Sequence, residues 1–348
     1  MDIESAQEDP RQQALPALQR HGRVGLLVAL ALLAVVYGAT LFPGPGGRVN
    51  VGDSAKFQYI GEILGVPHPP GYPQYVVLNF LWTRIPLPLS LATRVNLLSA
   101  FLSLVAAGFL YSSVWRLTRS VVAALFATWS VMLTRSIWAF STEAEVYALH
   151  LAYCTALLWA VVRLRQERRL RWLITAAVLF GLSLGNHPTS VLFLPGLALL
   201  ALTPGARAWG RRKLVFLAVL ALGIGLSQYT FLLWRSHSDA PFIEAIERQA
   251  DLEDLGETLS GSRFTSKNVL AKGLAGVADR WIKIPLKLAG QMWVLPLVLA
   301  IPGTIVLFGR DKMLVVFFVV SALSFALFSS IYHIGDWVSY LAPIWAMA

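Results

Sequence analysis

The sequence has little charge and almost no cysteine. Only 14% of its 348 residues are charged, whereas 56% are hydrophobic. Soluble domains contain roughly 45 to 50% apolar residues, so a soluble fold could not bury this much apolar surface. The single cysteine, Cys154, lies inside an apolar run. One cysteine excludes a disulfide framework and a cysteine-based metal site.

The charge that is present is mostly basic, with a net value of +10. The Arg and Lys residues form short clusters between apolar runs instead of one continuous basic face, so we predict no nucleic-acid partner. The sequence contains no His-Glu-x-x-His motif, no Asp-x-Asp motif and no His/Cys cluster. We therefore expect no metal site and no resident cofactor.

Long apolar runs dominate the chain. The first, Val24 to Phe42, has about 20 residues, which is the length that crosses a bilayer as a helix. Backbone polar groups in hydrocarbon must be paired within their own segment, so each such run is predicted to be helical. We predict an all-α, polytopic transmembrane protein with about nine to ten spans. The later runs lie near 93–115, 121–140, 146–162, 172–186, 188–204, 214–234, 289–308 and 313–331, with a last one starting at Trp337.

Basic residues in alternate short loops set the orientation, because cytoplasmic loops are enriched in Arg and Lys. The first 22 residues are polar and do not resemble a secretory signal, so they are predicted to form a cytoplasmic tail. The remaining divisions are a seven-span core over 23–235 with a first outer loop at 43–92, a non-cytoplasmic amphipathic loop over 236–288, and C-terminal spans over 289–348. The spacing from Leu270 to Ile284 predicts a helix, either in the membrane interface or solvated.

With this topology, the unusual polar residues all fall on the side that faces away from the cytoplasm. Ionisable residues near a membrane are costly and usually functional, so these residues are predicted to line one cavity. They are Asp53, His68, Glu143, Glu145, Asn186, His187, Arg235, His333 and Asp336.

Each of these residues also has a structural interpretation. Asp53 could simply cap a helix, and His68 could be a turn residue among prolines. A plain loop between spans would account for Asn186 and His187, and helix-end positions for Arg235 and Asp336. Glu143 and Glu145 are two residues apart, and on a helix their side chains would point about 200° apart. They could share an ion only in an extended segment, and Glu145 is the expected inward-facing member.

A set of motifs occurs in the same order as in a known family. The motifs are Asp53-Ser54 with Phe57-Gln58, Leu64-Gly65-Val66, His68-Pro69-Pro70-Gly71-Tyr72-Pro73, Arg94-Val95-Asn96-Leu97, Ala144-Glu145-Val146-Tyr147, Gly185-Asn186-His187, and Asp336 to Pro343. On these motifs the chain resembles the polytopic family typified by the eukaryotic O-mannosyltransferase that modifies IPT domains, within the GT-C superfamily of lipid-linked-sugar glycosyltransferases. The resemblance covers roughly residues 24–235 and returns at Tyr332.

The resemblance implies an integral-membrane enzyme of a bacterial plasma membrane or an organelle. Its donor co-substrate would be a mannose-like hexose on a polyprenyl phosphate, its acceptor a protein or glycan on the non-cytoplasmic face, and its surroundings membrane lipid. By position, Asp53 would be the base that deprotonates the acceptor. Lys56, His187 and Arg235 would be the available cations for the departing phosphate. The implied substrate-binding residues are Lys56, His68, Tyr72, Glu145, Tyr147, Asn186, His187, Arg235 and Asp336.

Lys56 departs from the family pattern, which commonly reads Asp-Ser-Gly-Glu where this chain has Asp53-Ser54-Ala55-Lys56. The family's longer loop motif after the seventh span is also not evident. A transporter or lipid-carrier flippase and a non-catalytic membrane scaffold are the alternative functions. A transporter is expected to show repeat symmetry and midplane sites, and the sequence has no internal repeat.

Overall fold

The computed structural model describes residues 10–48, 51–203, 205, 208–244, 251–260, 273–291, 294–332 and 337–347. Within these ranges the protein is helical, and Val66 and Ile243 form an isolated β-bridge. The predicted all-α class is therefore confirmed.

The helices are numbered in chain order. The first eight are α1 (Pro10–Thr40), α2 (Val51–Ile60), α3 (Pro73–Thr83), α4 (Leu91–Thr118), α5 (Val121–Met132), α6 (Arg135–Thr142), α7 (Val146–Glu167) and α8 (Leu170–Asn186). After a 3-10 helix at Pro188–Phe193 come α9 (Leu194–Ala201), α10 (Arg211–Gln228), α11 (Thr230–Ser236), α12 (Leu252–Ser260), α13 (Gly273–Gln291), α14 (Val294–Arg310) and α15 (Lys312–Ile331). A 3-10 turn at Ser339–Leu341 leads into α16 (Ala342–Met347).

Among the described residues, five helical segments are long and apolar enough to cross a membrane, as in an integral membrane protein. They are Gln19–Thr40, Leu91–Thr118, Val146–Glu167, Arg211–Ser236 and Lys312–Ile331. The count rises to seven if each of two bent helix pairs, α5 with α6 and α13 with α14, forms one span.

Several predicted apolar runs are not single straight helices. The run at 121–140 bends by 72° between α5 and α6, where the extended backbone of Thr134 interrupts the helix. The run at 188–204 divides into a 3-10 helix and α9. Average hydropathy does not register such breaks, so apolar composition alone overstates the number of full-length helices. The predicted nine to ten spans stay a prediction.

The bundle is centred on α7, which packs against α4 and α8 and is buried along most of its length. α8, in addition to contacting α7, packs closely against α10. A Cβ atom at Gly181 would lie only 2.5 Å from the carbonyl oxygen of Ala221, so the two backbones are nearly in contact. Small residues at such crossings are typical of membrane helix pairs. In contrast, α1 exposes Leu27 and Val35 on its outer face.

Basic side chains gather at one end of this bundle. Arg165 makes a bidentate ion pair with Asp311, with nitrogen–oxygen distances of 2.9 and 2.8 Å. At the same end of α7, Glu167 pairs with Arg116, Arg163 and Arg171. The 22 residues of α7 rise by about 33 Å, so its other end lies across the bundle from this cluster. That opposite end carries the candidate site.

The helix expected near Leu270 to Ile284 is present as α13 from Gly273 onward; residues 261–272 lie outside the described chain. It continues through the predicted boundary at 288 to Gln291. Ile284 and Arg280 are buried on one face of this helix. The Arg280 guanidinium lies 4.4 Å from the centre of the Trp337 ring. The helix thus packs on the bundle through one face, and its place in the membrane interface stays a prediction.

Candidate active site

The chain that follows α1 is held in place by the buried side chain of Gln58. Its amide nitrogen donates to the carbonyl oxygen of Gly46 at 2.9 Å and to Asn96 Oδ1 at 3.0 Å, and its oxygen accepts from the Gly46 amide at 2.8 Å. Asn96, on α4, in turn donates to the carbonyl of Phe42. These bonds fix α2 against α4, and α2 carries Asp53.

Asp53 lies in the first turn of α2, inside the helix that begins at Val51 and not at a cap position before it. Its Oδ1 atom is 3.4 Å from His68 Nδ1 and 3.7 Å from Lys56 Nζ. About a third of the side chain (32%) is exposed. Because the Asp53 carboxylate is partly exposed and has two basic neighbours, helix capping does not account for its environment.

Lys56 has a carboxylate partner that the sequence patterns did not single out. Its Nζ atom is 2.6 Å from Glu244 Oε2, although the two residues are 188 positions apart. Glu244 is brought there by backbone pairing: its amide donates to the Val66 carbonyl, and the Val66 amide donates to the Phe242 carbonyl, both at 3.0 Å. Residues 242–244 therefore pair with the loop between α2 and α3.

The His-Pro-Pro-Gly-Tyr-Pro motif forms a turn that also places two functional side chains. Gly71 donates to the His68 carbonyl and has a φ of +82°, where a Cβ atom would lie 2.5 Å from Leu232. The imidazole Nε2 of His68 is 3.4 Å from the Tyr72 hydroxyl. Phe57 packs its ring against both side chains. His68 is thus a turn residue and a neighbour of Asp53 together.

The Glu143-Ala-Glu145 segment corrects one expectation. Glu145 alone was expected to face inward, but Glu143 follows α6 and Glu145 precedes α7, and both have the extended backbones that the sequence left as the alternative. Side chains two residues apart point the same way in an extended chain, and both carboxylates are buried. Glu143 accepts from the Arg48 amide, and Glu145 accepts from the Ser54 hydroxyl at 3.1 Å. Both acids therefore face inward and hold the loop that carries Asp53.

Tyr75 lies beside this buried acid. Burial raises the pKa of Tyr75 above its ordinary value, and the negative charge of Glu145 raises it further. The hydroxyl therefore stays a neutral phenol and can only hydrogen bond near Glu145.

His187 lies between α8 and the following 3-10 helix, surrounded by rings. Its ring centre is 5.7 Å from Tyr147, 5.8 Å from Tyr72, 5.4 Å from Tyr340 and 4.9 Å from His150. Sequence reasoning missed His150 and Tyr340. The spacing of His150 three residues after Tyr147, on one helix face, was the available signal for the first.

Two other predicted residues do not join this arrangement directly. Arg235, at the end of α11, is buried, and its Nε donates to the Leu64 carbonyl at 2.7 Å. Its Nη1 donates to the Ser238 hydroxyl. Arg235 therefore supports the loop that leads to His68 and does not act as an exposed anchor at the helix end. Asp336, like His333, lies outside the described residues.

The site therefore consists of two adjoining groups. The charged group comprises Asp53, Lys56, His68 and Glu244, and the aromatic group comprises Tyr72, Tyr147, His187 and Tyr340. Tyr72 connects them, since it contacts both His68 and His187. Among the described residues, no three His, Cys, Asp or Glu side chains form a metal-binding cluster. The arrangement offers a base, a cation and hydrogen-bonding rings on one side of the bundle.

Residues 53–210 match the family described as the Protein O-mannosyl-transferase TMEM260 N-terminal domain. The chain is 34% identical over 178 residues to Protein O-mannosyl-transferase TMEM260 from Mus musculus, covering 49% of this chain and 24% of that protein. It is 24% identical over 128 residues to the Dictyostelium discoideum protein of the same name, covering 36% and 15%. The chain thus spans about a quarter or less of these curated relatives.

The fold also resembles a solved structure. ArnT from Cupriavidus metallidurans, determined in the apo state, superposes with a TM-score of 0.62 at 13% sequence identity, covering 92% of this chain and 57% of that one. The family and relative matches confirm the resemblance to O-mannosyltransferase proteins that the motifs indicated, and the ArnT match shows a similar fold. The matched region contains Asp53, His68, Glu145 and His187.

Proposed function

We propose that this chain, whose residues 53–210 match the N-terminal domain of a protein O-mannosyl-transferase family, is a GT-C-type glycosyltransferase. It transfers a mannose-like hexose from a polyprenyl phosphate to a hydroxyl group of a protein or glycan on the non-cytoplasmic face. The observation that carries this proposal is the Asp53 carboxylate, which is partly exposed and lies within 3.7 Å of Lys56 and His68. Matches to named transferases favour this function over a transporter.

The chemistry requires a base and a stabilised leaving group. Asp53 accepts the proton of the acceptor hydroxyl while that oxygen forms a bond to C1 of the sugar. The bond between C1 and the phosphate oxygen breaks, and the polyprenyl phosphate leaves with the electron pair. Lys56, whose Nζ atom is 3.7 Å from Asp53, stabilises the phosphate charge as it develops. The aromatic group holds the hexose next to Asp53.

The substitution Asp53→Asn tests the role of the base. We expect sugar transfer from polyprenyl-phosphate mannose, measured in proteoliposomes, to fall by about 100- to 10,000-fold, because general bases contribute about that much. Asp279→Asn is the matched control, since Asp279 is an exposed residue on α13 paired with Lys283. Undiminished transfer by the Asp53 variant would contradict the proposed mechanism.

The sidedness has its own support and its own test. The basic cluster around Glu167 lies at the opposite end of α7 from the site, and cytoplasmic ends are the basic ones. Because the one native cysteine, Cys154, is buried, an added cysteine can be labelled selectively. We expect a membrane-impermeant maleimide added outside intact cells to label Glu62→Cys but not Arg171→Cys. The reverse pattern would place the site on the cytoplasmic face.

A further inference from the structure

Two adjacent residues at the end of α8 leave polar atoms buried without partners. Among the described residues, Asn186 Oδ1 and His187 Nε2 have no hydrogen-bond partner, and both side chains are at least 97% buried. Buried polar atoms are nearly always paired, because an unpaired one loses its bonds to water without replacement. Two such atoms on consecutive residues suggest a place where a ligand supplies the missing bonds.

The hydrogen bonds of the other atoms in the two side chains show whether each unpaired atom is a donor or an acceptor. The Thr189 amide points at His187 Nδ1 from 3.4 Å, and the Thr189 hydroxyl is 2.6 Å from the same atom. An amide N–H can only donate, so Nδ1 is the unprotonated nitrogen and Nε2 carries the proton. Asn186 Nδ2 donates to the Val146 carbonyl, which leaves Oδ1 as an acceptor. The pair is therefore one donor beside one acceptor.

Both side chains face the beginning of α7. Asn186 contacts Val146, and the His187 ring lies next to the following residue, Tyr147. Tyr72 and Tyr340 complete the surroundings of His187 with two further rings. A hexose presents hydroxyl groups that donate and accept, together with an apolar face of C–H groups that packs on aromatic rings. The hydroxyl groups match the Asn186 acceptor and the His187 donor, and the apolar face matches the surrounding rings.

We propose that Asn186 and His187 recognise adjacent hydroxyl groups of the transferred hexose, with Thr189 as a positioning residue that fixes the His187 tautomer. This inference rests on the proposed function and names the sugar-binding part of the same site. His187 then acts as a neutral donor to the sugar, which replaces the role of phosphate cation expected from the sequence. His150, whose Nε2 is 3.4 Å from the Thr189 hydroxyl, packs behind this arrangement.

The test compares two lipids that differ only in the sugar. Binding of polyprenyl-phosphate mannose and of polyprenyl phosphate is measured on purified full-length protein in detergent. We expect Asn186→Leu and His187→Leu each to weaken binding of the mannosyl lipid by about 10- to 100-fold, the loss expected for a buried hydrogen bond, and to leave polyprenyl phosphate binding unchanged. His187→Gln, which retains an N–H donor, should recover most of the affinity.

Thr189 and a control residue complete the design. Thr189→Val replaces the hydroxyl that lies 2.6 Å from His187 Nδ1 by a methyl group and should raise KM for the mannosyl lipid, whereas Thr189→Ser keeps this hydroxyl and should restore KM. Thr128→Val is the matched control, since this buried hydroxyl on α5 also has no partner among the described residues. The Tm without lipid should not fall in His187→Gln or Thr128→Val, which shows that these variants fold.

The outcomes are separable. If wild type binds and transfers the mannosyl lipid but Asn186→Leu and His187→Leu bind it equally well, this inference is wrong and the proposed function stands. If both variants lose polyprenyl phosphate to the same extent, the residues do not read the sugar and the inference is also wrong. A wild-type protein that binds neither lipid would overturn the proposed function and the inference with it.

Discussion

The ion pair between Lys56 and Glu244 joins two segments that are far apart in sequence. Its nitrogen and oxygen atoms are 2.6 Å apart. Reversing one charge, as in Lys56→Glu or Glu244→Lys, is predicted to release residues 241–244 from α2 and from the loop that follows it. The double reversal keeps the attraction and should restore the docked segment.

The expected free-energy cost of a charge reversal depends on how exposed the two side chains of the ion pair are. The side chains of Lys56 and Glu244 are 19% and 33% exposed. Two unit charges at 4 Å attract by about 1 kcal/mol in water and about 4 kcal/mol at an effective dielectric constant of 20. A partly exposed pair falls near the lower end, at about 1 to 2 kcal/mol. Replacing attraction by repulsion of similar size costs about 2 to 4 kcal/mol.

Other interactions also hold this segment. The two backbone hydrogen bonds that flank Val66 contribute about 1 kcal/mol each, and Phe242 and Ile243 pack against the hydrophobic core. A change of 2 to 4 kcal/mol corresponds to about a 30- to 1000-fold increase in local opening. Hydrogen exchange of peptides that cover Val66 and Glu244 measures this opening directly. The double variant should exchange within about tenfold of wild type.

Glu62→Lys is the matched control, because the Arg84–Glu62 pair has a similar distance of 2.8 Å but Arg84 is 51% exposed. Reversal there should cost less than about 1 kcal/mol. The reasoning would be refuted by wild-type exchange rates in both Lys56→Glu and Glu244→Lys. It would also be refuted if the double variant opened as much as the two single effects combined, because no coupling would then exist.

Three further predictions concern the scaffold. Gly181→Leu should abolish the monodisperse peak in size-exclusion chromatography, since a Cβ atom there meets the backbone of Ala221, whereas Gly38→Ala has open space and should raise Tm. Equal behaviour of the two variants would contradict the close crossing of α8 and α10. Gln58→Leu should lower the free energy of unfolding by about 3 kcal/mol, from about 1 kcal/mol for each lost bond of its amide, and an unchanged Tm would contradict its role. The raised pKa of Tyr75 favours the neutral phenol in the folded state, so stability should be complete below about pH 10 and fall as the pH rises above it. Tyr75→Phe should weaken this alkaline loss in thermal unfolding experiments; an identical loss in the variant would argue against it.

Much of the outline was available from the sequence because the responsible signals are local. Apolar runs that must satisfy their own backbone predict helices whatever their neighbours are. The Pro-Pro-Gly turn holds His68 in place, and Asp53 lies in the first turn of a short helix just before it. Both effects act within a few residues, so the motifs were sufficient to select them. Glu145 and His187 were selected as further site residues because they lie in motifs that the chain shares with the family.

The tertiary structure decided the features that depend on packing between distant segments. Glu143 and Glu145 both face inward because their segment is extended between α6 and α7, and helical spacing rules do not apply there. Glu244 reaches Lys56 only because its backbone pairs with Val66.

His187 shows the same division within one residue. The sequence by itself determined that a histidine follows α8 on the site side of the bundle. Only the folded chain placed Thr189 against Nδ1, and with it the proton on Nε2. Hydropathy predicts whether a segment faces lipid or water, and residue spacing predicts which side chains share one face of a helix. The protonated nitrogen depends on a hydrogen bond in three dimensions, which neither of those patterns encodes.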